Sequence, residues 1–264
     1  MITSLTLLIL SLVALYIGAG WLVQGSSALA LKAKISPLVV GLTIVAFGTS
    51  APELVVSLNA TLSGQGDIAI GNIVGSNIFN IGVILGVSAT ICPLQVKKQL
   101  LRIDIPVMLA ATVLFTILFW NGTLGRTEGL FFLTGIIIYT IFSLFYSRKH
   151  GTEGSSQELE EQPKHWAVDT LAIVGGLVVL VFASRLLVDN AVSIAKELGV
   201  SEAVIGLTIV AAGTSMPELA TSIVAAYKRK TDIAIGNIVG SNLFNILTIA
   251  GSCSLIHPIE AKNV

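Results

Sequence analysis

The sequence predicts an all-α polytopic membrane protein, built as an inverted-topology repeat with broken transmembrane helices. Three observations carry this expectation. The 264-residue chain is 54% hydrophobic and only 11% charged, with mean hydropathy +0.89, whereas a soluble domain carries about 25% charged residues. Uncharged stretches of roughly 20 residues, the length that crosses ~30 Å of hydrocarbon, recur from end to end. One long segment also occurs twice, each time with a proline and a glutamate inside an apolar run.

Eight spans are expected, at about 4–31, 36–62, 68–91, 103–121, 127–147, 167–188, 201–227 and 233–256. The first has no basic segment before it and reads as a retained helix rather than a cleaved signal. Between the fifth and sixth spans lies RKHGTEGSSQELEEQPKH, residues 148–165. Its glutamates, Gly, Ser and Pro make it a hydrophilic linker by composition. The chain thus divides into a first half (1–147), a linker (148–166) and a second half (167–264). Lys and Arg fall eleven to four on alternate loop sides. The positive-inside rule then places the linker in the cytoplasm and the N-terminus outside. Trp21, Trp120 and Trp166 fall near span ends, where interfacial anchors belong. Cys92 and Cys253 read as small buried hydrophobes. His150, His165 and His257 have no ligand spacing and read as solvated surface. No basic cluster suggests nucleic acid.

The repeat is the strongest signal. Residues 36–81 shifted by 165 fall on 201–246 without a gap, about 30 of 46 positions being identical, and DIAIGNIVGSN stands word for word at 67–77 and 232–242. The two copies begin five crossings apart, an odd number, so the second is upside down relative to the first. Such folds place the substrate site at mid-membrane between the repeats.

Three motif pieces specify the chemistry. Glu53 in GTSAPEL and Glu218 in GTSMPEL are expected deep in the membrane, where a charge costs at least ~2.5–3.5 kcal/mol. Two at matching positions predict a cation site with one carboxylate from each half. Pro52 and Pro217 cannot donate to the carbonyls of Gly48 and Gly213. The opened helices would present carbonyls at Ala46, Thr49, Ala211 and Thr214, tolerable at this depth only around a polar cavity. GNIVGSNIFN (71–80) and GNIVGSNLFN (236–245) add neutral oxygens at Asn72, Ser76, Asn77 and Asn80 and their mirrors, with Ser76 and Asn80 on one helical face. Gly71, Gly75, Gly236 and Gly240 read as close-packing positions, and Asn77 and Asn242 as either packing or site residues. Asp67 and Asp232 read as N-caps.

Carboxylates with neutral oxygens select hard ions such as Ca²⁺ and Na⁺ over Zn, Cu or Fe. Two carboxylates in one dry pocket repel, so the empty site is costly unless cations or protons fill it. A carrier that switches only when neutralised must exchange one load for another. An intramembrane hydrolase would need a His ligand or a nucleophile–base pair in the spans, and none is evident.

At these motifs the chain resembles the calcium/cation antiporter superfamily, most nearly its sodium/calcium exchangers. The resemblance implies a Na⁺/Ca²⁺ antiporter rather than an enzyme, with no cofactor and with Ca²⁺ and Na⁺ as transported ions. It implies that Glu53 and Glu218 bind Ca²⁺ with the carbonyls of Thr49 and Thr214. Ser50, Ser76 and the Ala46 carbonyl, with Ser215, Ser241 and the Ala211 carbonyl, would form sodium sites. Asn80 and Asn245 would line the centre, and the first and sixth spans would be sliding gates. Two features depart from the family pattern. Several relatives carry Asp where this chain has Asn245, which leaves Na⁺, H⁺ and K⁺ coupling open. The family has ten spans, so counterparts of the fourth and fifth are expected to be missing from the second half. Faces of the seventh and eighth spans would then be exposed, or covered by a second copy of the chain.

Overall fold

The computed structural model describes residues 2–150, 165–205, 208, 209 and 211–260, so residues 151–164 of the expected linker lie outside the described residues. Among the described residues, six helices are long and apolar enough to span a bilayer: α1 (Ile2–Ala33), α4 (Gly66–Ile91), α5 (Leu100–Leu118), α6 (Arg126–Lys149), α7 (Trp166–Glu197) and α11 (Thr231–Ile256). A seventh span is a pair bent by 47°, α2 (Pro37–Thr49) and α3 (Ala51–Leu62). The seventh expected span, 201–227, is described as α8 (Glu202–Ile205), α9 (Ala211–Gly213) and α10 (Met216–Tyr227).

Local chemistry sets the joints. Ser36 caps α2, its hydroxyl accepting from the Val39 N–H, with Pro37 in the first turn, where its missing donor costs nothing. Pro52 and Pro217 also stand in first turns, those of α3 and α10. Each proline therefore starts a second half-helix instead of kinking a continuous one. The breaks fall at Ser50 (φ −83, ψ 8) and Ser215 (φ −88, ψ 10), the same conformation in both repeats.

Helices α1 and α7 pack along their lengths. A side chain at Gly18 or Gly176 would run into the facing helix, 2.9 Å from Val179 Cγ1 and 2.7 Å from the Gly18 carbonyl respectively. Lys32 pairs with Asp169 across this interface. A short ribbon, β1 (Thr123–Leu124) against β2 (Ile259–Glu260), ties the α5–α6 connection to the segment after α11.

The exposed faces are not those expected from the span count. The apolar window of α11 is 94% buried, whereas that of α4, which carries the same DIAIGNIVGSN segment, is 33% buried. The inverted axis explains the reversal: α6 lies against α11 of the opposite half, backbone to backbone where Gly129 meets Gly251. The bare span is therefore α4, not the eighth, which α6 covers. Gly71, Gly75, Gly82 and Gly86 on α4 accordingly have open space before them.

Asp67 and Asp232 are not caps. Both stand in the first turn, after N-cap residues Gln65 and Lys230, with no side-chain cap, and Asp232 pairs with Lys97. Like the two glutamates, Asp104 and Asp169 are buried. Asp104 is fully buried at the start of α5 and accepts from the Tyr139 hydroxyl at 2.9 Å. The sequence gives no sign of this pairing, because Asp104 and Tyr139 sit in separate spans.

Candidate functional site

The two breaks meet at the centre of the protein, and each repeat is wired to the other. Ser50 donates to Glu218 Oε1 at 2.7 Å, and its mirror Ser215 donates to Glu53 Oε1 at 2.9 Å. Both glutamates are 1% exposed. The hydroxyl of Thr49 donates to Asn237 Oδ1 at 3.1 Å, and that of Thr214 to Asn72 Oδ1 at 3.5 Å.

Two amides hold the half-helices in place. Asn72 donates to the Glu53 carbonyl (3.1 Å) and to Ser57 Oγ (2.8 Å). Asn237 does the same to the Glu218 carbonyl (3.3 Å) and Ser222 Oγ (3.0 Å). Each asparagine thus joins the glutamate backbone of its own repeat to a threonine of the other. Sequence reasoning missed Ser57 and Ser222. The available signal was their identity at matching positions, inside a stretch where the repeats otherwise diverge.

The helices carrying GNIVGSN share another unanticipated feature. Wide π-helical turns occupy Asn80–Leu85 and Asn245–Ala250, and a third, Gly41–Val45, precedes the first break. Such turns are rare and concentrate at functional sites. They begin at Asn80 and Asn245, the two residues expected to line the centre.

The unpartnered atoms define what the site can bind. Glu53 Oε2, Glu218 Oε2, Ser76 Oγ, Ser241 Oγ, Asn80 Oδ1 and Asn245 Oδ1 are buried oxygens with no hydrogen-bond partner among the described residues. One buried unsatisfied polar atom costs about 1–3 kcal/mol. Here there are three mirror-related pairs, all oxygens and all on residues expected to bind cations. Of the remaining expected residues, the Ala46 carbonyl accepts from the Ser50 N–H (3.0 Å) and the Thr49 hydroxyl (3.4 Å). Ala211 opens α9, its side chain lying outside the described ones.

The chain is similar to known proteins over nearly its whole length. The family model described as sodium/calcium exchanger protein matches residues 3–145 and 168–264. The putative antiporter CaxA of Alkalimonas amylolytica is 38% identical over 98% of this chain and 82% of its own length. The sodium/calcium exchanger MaX1 of Methanosarcina acetivorans is 32% identical over 98% of this chain and 84% of its own. A solved structure of the sodium-calcium exchanger NCX_Mj superposes with a TM-score of 0.86 at 32% identity, covering 99% of this chain and 85% of that one.

Proposed function

Since this chain belongs to the sodium/calcium exchanger protein family and is a membrane cation antiporter, not an enzyme, we propose that it exchanges Na⁺ for Ca²⁺ by alternating access. The observation that carries this reading is the set of mirror-paired unpartnered oxygens, one carboxylate oxygen from each repeat among them. Ca²⁺ takes 6–8 oxygen ligands, and it neutralises the two buried carboxylates that otherwise repel.

In this reading Glu53 and Glu218 hold Ca²⁺ together with the Thr49 and Thr214 carbonyls. Na⁺ uses Ser50, Ser76 and Ala46 in one half and Ser215, Ser241 and Ala211 in the other. Asn80 and Asn245 supply neutral oxygens between them. The halves 1–147 and 167–264 act as the two inverted units, and the 148–166 linker lies in the cytoplasm with the N-terminus outside. Helices α1 and α7, which pack chiefly on one another and carry none of the proposed ligands, form the moving gate.

Purified protein in liposomes loaded with Na⁺ should take up ⁴⁵Ca²⁺ only while the outward Na⁺ gradient persists. Uptake driven by an imposed pH gradient with no Na⁺ present would instead assign proton coupling. Uptake without any counter-ion would make the protein a channel and overturn the reading.

A further inference from the structure

Building on the cation site proposed above, we infer that Asn77 and Asn242 are positioning residues that turn the amides of Asn245 and Asn80 so that their oxygens face the ions. An asparagine amide is a ligand for a cation only through its oxygen, since its nitrogen carries two donors. A rotation of 180° about the last side-chain bond swaps the two at little intrinsic cost. Something must set the orientation, and in this protein fixed acceptors set it, a backbone carbonyl for one amide and the Met108 sulphur for the other.

The chain of constraint starts at the carbonyl of Asn242, which can only accept. Asn77 Nδ2 points at it from 3.4 Å, so Asn77 presents its oxygen on the other side. That oxygen receives Asn245 Nδ2 at 2.9 Å. Asn245 is thereby held with its nitrogen outward, and its Oδ1 is the atom left buried and unpartnered. The mirror arrangement repeats the result. Asn80 Nδ2 donates to Asn242 Oδ1 at 3.0 Å, while Asn242 Nδ2 faces the sulphur of Met108 at 3.7 Å, again an acceptor. Asn80 Oδ1 is left free. Each ligand amide is set by the GNIVGSN asparagine of the opposite repeat. Asn77 itself carries no unpartnered atom, which separates it from the ligands.

The wiring also explains why position 245 suits asparagine in this chain. A carboxylate there would place an acceptor against Asn77 Oδ1. Turning the Asn77 amide to relieve that contact would put its oxygen against the Asn242 carbonyl.

The test is ⁴⁵Ca²⁺ binding to purified protein in detergent, with thermal unfolding recorded alongside. Asn77→Leu removes the acceptor that holds Asn245, and its affinity should fall by about 10- to 100-fold, the usual cost of losing a group that orients a metal ligand. Asn245→Asp in the same background should restore binding, because a carboxylate presents oxygen whichever way it turns. In the otherwise wild-type background Asn245→Asp should give no comparable gain. If the two substitutions instead combine independently, to within about twofold, the positioning role is wrong. So is it if Asn77→Leu binds like wild type, or if lost binding simply follows lost thermal stability without rescue. Should Asn77→Leu fail to fold, Asn77→Ala opens the same contact without adding bulk and is read by the same criteria. Glu53→Gln is the control for the site itself. Binding lost there but unchanged in Asn77→Leu overturns only this inference, whereas binding retained in Glu53→Gln overturns the ion site on which it rests.

Discussion

Glu53→Gln and Glu218→Gln should each weaken Ca²⁺ binding by about 100-fold or more, and to similar extents. Each change keeps the side chain's shape and an oxygen for the serine that donates to it, Ser215 for Glu53 and Ser50 for Glu218. The fold is therefore expected to survive. What disappears is one of two charges facing a divalent ion in a site sealed from water. Removing one partner of a buried ionic contact costs about 3–5 kcal/mol, and ~2.7 kcal/mol already corresponds to about 100-fold. The near-equality follows from the mirrored surroundings of the two carboxylates. The check is ⁴⁵Ca²⁺ binding to each purified variant, with ⁴⁵Ca²⁺ uptake into Na⁺-loaded liposomes alongside. A variant that binds with wild-type affinity would show that its glutamate lies outside the ion shell.

Gly240→Ala and Gly75→Ala should have opposite outcomes, although the two glycines occupy the same place in identical eleven-residue words. On α11, a methyl at Gly240 would lie 2.5 Å from the Leu42 carbonyl oxygen and 2.7 Å from Ala46 Cβ. The half-helix α2 would have to move, and such overpacking costs typically about 1–3 kcal/mol, occasionally more. That half-helix leads into the first break, so transport should fall together with stability. On α4, a methyl at Gly75 meets nothing within 4 Å and should leave both unchanged. Thermal unfolding in detergent compares the two directly. Equal losses would show that the exposed face of α4 is covered in the protein as purified.

Much of this was legible in the sequence because the repeat carries it. Matching words 165 residues apart gave the inverted halves, and a Pro–Glu pair in each gave the two breaks and the two carboxylates. The structure sets those glutamates against Ser215 and Ser50 of the opposite repeats and buries oxygens of Ser76, Ser241, Asn80 and Asn245 without a partner among the described residues. What remained illegible depends on contacts between distant spans. The span count pointed to the seventh and eighth as bare, because sequence order does not tell which half α5 and α6 cover. They cover α11, and the bare helix is α4. Asp67 and Asp232 looked like caps because they stand near helix starts, but the cap position belongs to the residue before the first turn. The clamp of Asn72 on Ser57, and the π-helical turns that begin at Asn80 and Asn245, follow from packing that periodicity does not encode.

The crossed bonding has a consequence for how such a chain changes over generations. After a duplication, two copies are free to drift, and outside the motifs these have done so: NATLSGQG stands where the second repeat has VAAYKRKT. Within 67–77 and 232–242 no letter differs. Asn72 touches Thr214, Asn237 touches Thr49 and Asn77 touches both Asn242 and Asn245, so a substitution in one copy must be acceptable to its twin. The two halves are each other's selective environment. A lineage can alter such a pair only by changing both members or by passing through a weakened intermediate.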